Sequence, residues 1–112
     1  MKNKKILVVE DDEFFRSTVA EVLADAYNVY QAPDGRSATE LLSIQDYDLV
    51  LTDIQMPRMT GVELLEWSKK NNKNVPFIIM TGFSTLLETQ SAYDLGAKGF
   101  ISKPFNIVQL LK

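Results

Sequence analysis

Four unbroken apolar runs punctuate the chain: "ILVV" at 6–9, "LVL" at 49–51, "VPFIIM" at 75–80 and "GFIS" at 99–102. Runs this short, with no polar alternation, mark strands buried on both faces, as in a parallel sheet. A weaker stretch, "YNVYQA" at 27–32, alternates apolar and polar positions and predicts a strand at the sheet edge.

Between these runs the apolar period lengthens to that of a helix. Phe15, Val19, Val22 and Ala26 share one face of a first helix, Ala38, Leu41 and Leu42 one face of a second, and Val62 and Leu65 begin a third. Residues 84–95 read as a helix without a clean apolar stripe, carrying Leu86, Leu87 and Tyr93, while Ile107, Leu110 and Leu111 open a last helix that the chain truncates. Five strands alternating with helices predict an α/β domain over residues 1–112. Its architecture is flavodoxin-like: a doubly wound, five-stranded parallel sheet of order 2-1-3-4-5 with helices on both faces.

Composition narrows the chemistry. With 112 residues, 46% of them hydrophobic, the chain can bury one core and is not a disordered segment. A net charge of -3 argues against a domain that grips nucleic acid. The absence of cysteine and histidine excludes thiol nucleophiles, Ser-His-Asp triads, His- or Cys-bound zinc and a phosphohistidine carried by this chain. It also fits a cytoplasmic location. No run is long enough to span a membrane, and the basic start "MKNKK" is cut off from signal-peptide character by Glu10.

In such a sheet, ligands bind beyond the carboxyl ends of the strands, near the point where the order reverses. Strand 1 ends in Glu10 and Asp11, strand 3 in Asp53, strand 4 in Thr81 and strand 5 in Lys103, whereas strand 2 ends in the bland pair Gln31 and Ala32. In the order 2-1-3-4-5 the four polar endings are adjacent. Three carboxylates about 5 Å apart would repel by roughly 3 kcal/mol per pair at an effective dielectric of 20, which calls for a cation. Oxygen donors without His or Cys favour Mg²⁺ or Ca²⁺, and a small open cluster with room for water and phosphate favours Mg²⁺. Taken alone, several of these residues have plainer readings. Acids at 10–13 suit a helix start, with Asp12 as N-cap, Thr81 suits any strand end and Lys103 any solvated loop, while Trp67 and the methionines read as packing.

Together the segments "VVEDD", "LVLTDIQMPRMTG", "MTG" and "KGFISKPF" resemble the receiver domain of two-component response regulators over the whole chain. The resemblance implies that Asp53 accepts a phosphoryl group and that Glu10, Asp11, Asp53 and the backbone carbonyl of Gln55 surround Mg²⁺. It further implies that Thr81 and Lys103 contact phosphoryl oxygens, and that Thr81 and Phe100 form the conformational switch. The implied partner is a sensor histidine kinase or a histidine phosphotransfer protein, with a phosphorylation-dependent homodimer as a further option and neither nucleic acid nor membrane bound by this domain. Such a domain catalyses its own phosphotransfer and autodephosphorylation without being a turnover enzyme. Two departures stand out: the first acid is Glu rather than the commoner Asp, and the chain stops inside the last helix, as expected of a piece of a longer regulator or hybrid kinase. A flavodoxin-type FMN carrier would share the fold, but "EDDEFF" would repel its phosphate. A Mg²⁺-dependent phosphohydrolase would need a cap domain for which this chain has no room, and a degenerate receiver that only binds would lack pocket positions that are all present here.

Overall fold

The computed structural model describes residues 3–54, 56, 59–81, 90, 94 and 96–102. Its elements follow one another as β1 (Lys5–Val9), α1 (Glu13–Leu23), β2 (Asn28–Ala32), α2 (Gly35–Ile44), β3 (Leu49–Asp53), α3 (Gly61–Lys70), β4 (Phe77–Thr81) and β5 (Gly99–Ser102). All neighbouring strands pair in parallel, in the order β2-β1-β3-β4-β5, as the alternation of apolar runs predicts.

Strands β1 to β4 divide their side chains between two cores. Leu7, Val9, Val50, Phe77 and Ile79 pack with Ala38 and Leu42 of α2 and Leu64 and Leu65 of α3. The alternate positions Ile6, Val8, Leu51 and Met80 pack with Val19 and Leu23 of α1. Both faces being apolar is why the runs show no alternation in the sequence. Each fully buried Leu, Ile or Phe in these layers contributes about 1.5–3 kcal/mol relative to exposure. At the margin, β2 keeps Asn28, Val29 and Tyr30 half-buried and Gln31 exposed, which is the expected edge character.

Helix starts are built from side-chain acceptors. Asp12 accepts from the Phe15 N–H at 3.1 Å and Asp34 from the Ser37 N–H at 2.8 Å. At α3, Thr60 accepts from the Glu63 N–H at 3.1 Å while the Glu63 carboxylate accepts from the Thr60 N–H at 2.9 Å, a reciprocal capping box. Such caps are each worth about 1 kcal/mol. The first helix is shorter than its apolar spacing predicts. It stops at Leu23, whose carbonyl accepts from both Ala26 N–H (3.1 Å) and Tyr27 N–H (3.0 Å), so Ala26 is exposed in the turn and Leu23 supplies the buried contact. The helix expected over 84–95 falls largely outside the described residues, and the truncated terminal helix wholly so. Among the described residues no helix is long and apolar enough to cross a membrane.

Tyr30, midway along β2, and Tyr47, just before β3, meet edge to face with ring centres 5.4 Å apart. Burial pushes the Tyr47 phenol above its ordinary 10.0, opposed by the hydrogen bond from Gln45 and assisted by Tyr30. A raised folded value means that Tyr47 favours the folded state below pH about 10 and that this contribution is lost as pH climbs through the folded value. Tyr47→Phe should therefore remove one phenol that ionises above the ordinary 10.0 in an absorbance titration and flatten the alkaline fall in stability above pH about 10.

Candidate functional site

The polar strand ends converge above the carboxyl edge of the sheet. Glu10 follows β1 directly and keeps to the ladder, its N–H donating to the Ala32 carbonyl at 3.1 Å. Its side chain is almost fully buried, at 1% exposure, and the Asp12 N–H donates to its Oε2 at 3.1 Å. The same short loop that caps α1 thus fixes the orientation of Glu10, while Asp11 between them is exposed. Asp53 closes the adjacent strand β3 and is 7% exposed.

Carboxylate oxygens of Glu10, Asp11 and Asp53 lie within 4.8 Å of one another, as the alignment of strand ends requires. Like charges at that distance repel by roughly 3 kcal/mol per pair at an effective dielectric near 20. Solvent screens the repulsion at exposed Asp11 and reduces it there. The donor set is all carboxylate oxygen, which fits a hard divalent cation. A magnesium shell with ligands at about 2.1 Å spans about 4.2 Å, so the oxygens stand close to the spacing such an ion needs.

Two described residues after Asp53 belong to the core. Ile54 and Met56 are buried, and the buried Thr52 hydroxyl donates to the Asp53 carbonyl at 3.0 Å. The chain returns at Gly61, whose N–H donates to the Ile54 carbonyl at 2.8 Å. A Cβ at Gly61 would stand 2.5 Å from the Asp53 carbonyl oxygen and 2.9 Å from the Ile54 Cα, so only glycine lets α3 start this close to the acid. Met59 is seated against Gly35 at the start of α2, where a Cβ would meet its Cβ at 2.8 Å. Met56, Met59 and Met80 are packing residues, as their sequence setting predicts.

Of the other predicted site residues, Thr81 ends β4, one position beyond the Asp53 and Met80 pair, and Phe100 lies in β5 opposite Ile79. Their side chains, together with Gln55 and Lys103, fall outside the described residues. Two contributors are invisible in a motif reading. Arg16 donates from Nη1 to the Glu10 carbonyl at 2.8 Å and from Nε to the Gln31 side chain at 3.2 Å. A basic residue spaced so that it lies one helical turn into α1, with side chains leaning toward the helix start, was the available signal.

Comparison with known proteins identifies the family of this fold. A family model for the response regulator receiver domain matches residues 6–112. Sporulation initiation phosphotransferase F of Bacillus subtilis is 36% identical over 111 residues, covering 98% of this chain and 90% of its own length. Response regulator MprA of Mycolicibacterium vanbaalenii is 32% identical over 108 residues, covering 96% of this chain but 47% of its own, so the chain spans about half of some relatives. A solved chemotaxis protein of Vibrio cholerae superposes with a TM-score of 0.90 at 32% identity, covering 96% of this chain and 92% of that one. The chain belongs to the response regulator receiver domain family. Members of this family are signalling switches of two-component phosphorelays, work with histidine kinases or phosphotransfer proteins and use Mg²⁺.

Crowding of the three carboxylates has a measurable consequence. Asp11→Ala should weaken Mg²⁺ binding by about tenfold or more and, in chelator, raise the thermal unfolding midpoint, because one repelling charge has left. Calorimetric titration and thermal unfolding read the two effects. A variant less stable than the parent without Mg²⁺ would contradict the crowding.

Proposed function

We propose that Asp53 is the phosphoacceptor of this receiver, and that residues 1–112 act as one switch domain. The observation that carries the reading is the position of Asp53, at the end of the central strand, with its carboxylate in one cluster with those of Glu10 and Asp11. An Asp53 oxygen attacks the phosphorus of a partner's phosphohistidine. The new P–O bond forms as the P–N bond breaks, leaving an acyl phosphate on Asp53 and returning a neutral imidazole once it takes up a proton.

Glu10, Asp11 and Asp53, with the Gln55 carbonyl, would hold Mg²⁺, which when bound offsets the negative charge shared by the acids and the phosphoryl oxygens. The residues themselves supply placement. Glu10 is held by the Asp12 N–H, so its carboxylate is oriented before any ligand arrives. Gly61 lets α3 begin directly beside Asp53 without a side chain intruding. Thr81 and Lys103 are assigned to the phosphoryl oxygens, and water entering the same site reverses the modification, so the domain catalyses its own phosphorylation and dephosphorylation without acting on a released substrate. The cognate donor is a sensor histidine kinase or a histidine phosphotransfer protein in the cytoplasm, a setting that suits a cysteine-free chain. The same proposal admits a homodimer of phosphorylated copies, and it assigns no nucleic-acid or membrane contact to this domain.

With a small-molecule phosphodonor and Mg²⁺, intact-mass measurement should show one added phosphoryl group in the parent and none in Asp53→Asn. Uptake by Asp53→Asn at the parental rate would remove the assignment.

Transmission is proposed to run through Thr81 and Phe100. A charge-assisted hydrogen bond from the Thr81 hydroxyl to the phosphoryl group is worth ~1.5–3 kcal/mol. A gain of ~2 kcal/mol changes a two-state equilibrium about thirtyfold, enough to turn a minor state into the major one. Thr81→Ala should therefore accept phosphate yet leave the Phe100 ring resonances where they were before phosphorylation, whereas the parent's move. Equal shifts in both proteins would show that the hydroxyl does not couple the site to the switch.

A further inference from the structure

Glu10 is the departure from the commoner acid at its position, and its longer side chain has one more rotatable bond to fix before it can serve as a ligand. The structure shows how its backbone is held. Its N–H goes to the Ala32 carbonyl of the edge strand at 3.1 Å and its carbonyl accepts from Arg16 Nη1 at 2.8 Å. The carboxylate in turn accepts from the Asp12 N–H at 3.1 Å. Arg16 is anchored independently: its own N–H donates to the Asp12 carbonyl at 2.9 Å, and its Nε donates to the Gln31 side chain at 3.2 Å. A planar guanidinium with several donors can serve two acceptors at once, and Arg16 uses this to tie α1 to the ends of β1 and β2.

We propose that Arg16, braced by Gln31, is a positioning residue that holds the Glu10–Asp11 loop in its cation-binding arrangement. This rests on the reading of Glu10, Asp11 and Asp53 as a divalent-cation site. The edge strand then contributes through Gln31, although its end offers no ligand of its own. A residue standing behind a ligand in this way typically changes metal affinity by 10–100-fold when removed.

The sign of the effect separates positioning from simple charge. Arg16 is cationic, so if it were only a neighbouring charge, its removal would relieve repulsion of Mg²⁺ and tighten binding. If it positions the loop, removal loosens binding.

The test measures the Mg²⁺ dissociation constant by calorimetry for the parent, Arg16→Ala, Arg16→Lys and Gln31→Ala, with amide hydrogen exchange of Glu10 and Asp12 followed in metal-free protein. Arg16→Ala should bind about tenfold more weakly, with faster exchange at both amides and little change in global unfolding. Arg16→Lys should recover only part of the loss, because an ammonium cannot present the two-acceptor fork. Gln31→Ala should lie between the parent and Arg16→Ala. Unchanged or tighter binding in Arg16→Ala, or unaltered amide exchange, would overturn the proposal. Failure of the parent itself to bind Mg²⁺, with exchange still accelerated in Arg16→Ala, would instead retire the cation-site reading and reduce Arg16 to a brace of the loop.

Discussion

Leu7, Val8 and Val9 are fully buried in succession, so neither face of β1 has room for a polar group. The same holds for the middle of β3 and of β4, where Val50, Phe77 and Ile79 lie on one side and Leu51 and Met80 on the other. A charge placed on either face would lose its hydration without finding a partner, at a cost of several kcal/mol. Polar chemistry is thereby confined to the ends of the strands, and parallel pairing gathers all the carboxyl ends on one edge. Glu10, Asp11 and Asp53 meet because the sheet leaves them nowhere else to be.

That confinement made part of the molecule readable in advance. Unbroken apolar runs identify two-sided strands, and the acids at their carboxyl ends, Glu10 directly after β1 and Asp53 closing β3 behind the buried Thr52, form the candidate site. The endings of β1 and β3 could be brought together on paper because the strand order follows from the alternation of elements. What escaped notice depends on reach rather than on period. Arg16 occupies an unremarkable polar position of α1, and its role comes from a long side chain meeting Glu10 and Gln31, contacts that leave no repeat in the sequence. Gln31, bland as a strand ending, is likewise defined by the residue that finds it. The early stop of α1 was hidden for a related reason: Ala24, Asp25 and Ala26 contain no glycine or proline, and the helix ends through bonds to the Leu23 carbonyl that any residues there could make.

Strength is distributed unevenly between the two edges of the sheet. The carboxyl edge carries repelling acids, a buried Glu10 and a loop drawn tight by hydrogen bonds, whereas the cores behind it are ordinary close-packed aliphatic layers. Such an arrangement keeps the site poised: its charges oppose compaction locally, and the apolar layers on both faces supply the surplus that tolerates it. A ligand that neutralises the acids therefore relieves that local repulsion, which is where a modest binding energy can redistribute conformations.

The bond from the Gly61 N–H to the Ile54 carbonyl, 2.8 Å long, closes the chain between them into a ring of six intervening residues. Surface connections usually accept insertions and deletions during descent, because their ends are free to adjust. Here neither end can adjust: Ile54 is buried, and Gly61 has no room beside the Asp53 carbonyl for even a Cβ. The circumference of this ring is thus set by its closure, and lengthening or shortening it would break the bond or displace the start of α3 from Asp53.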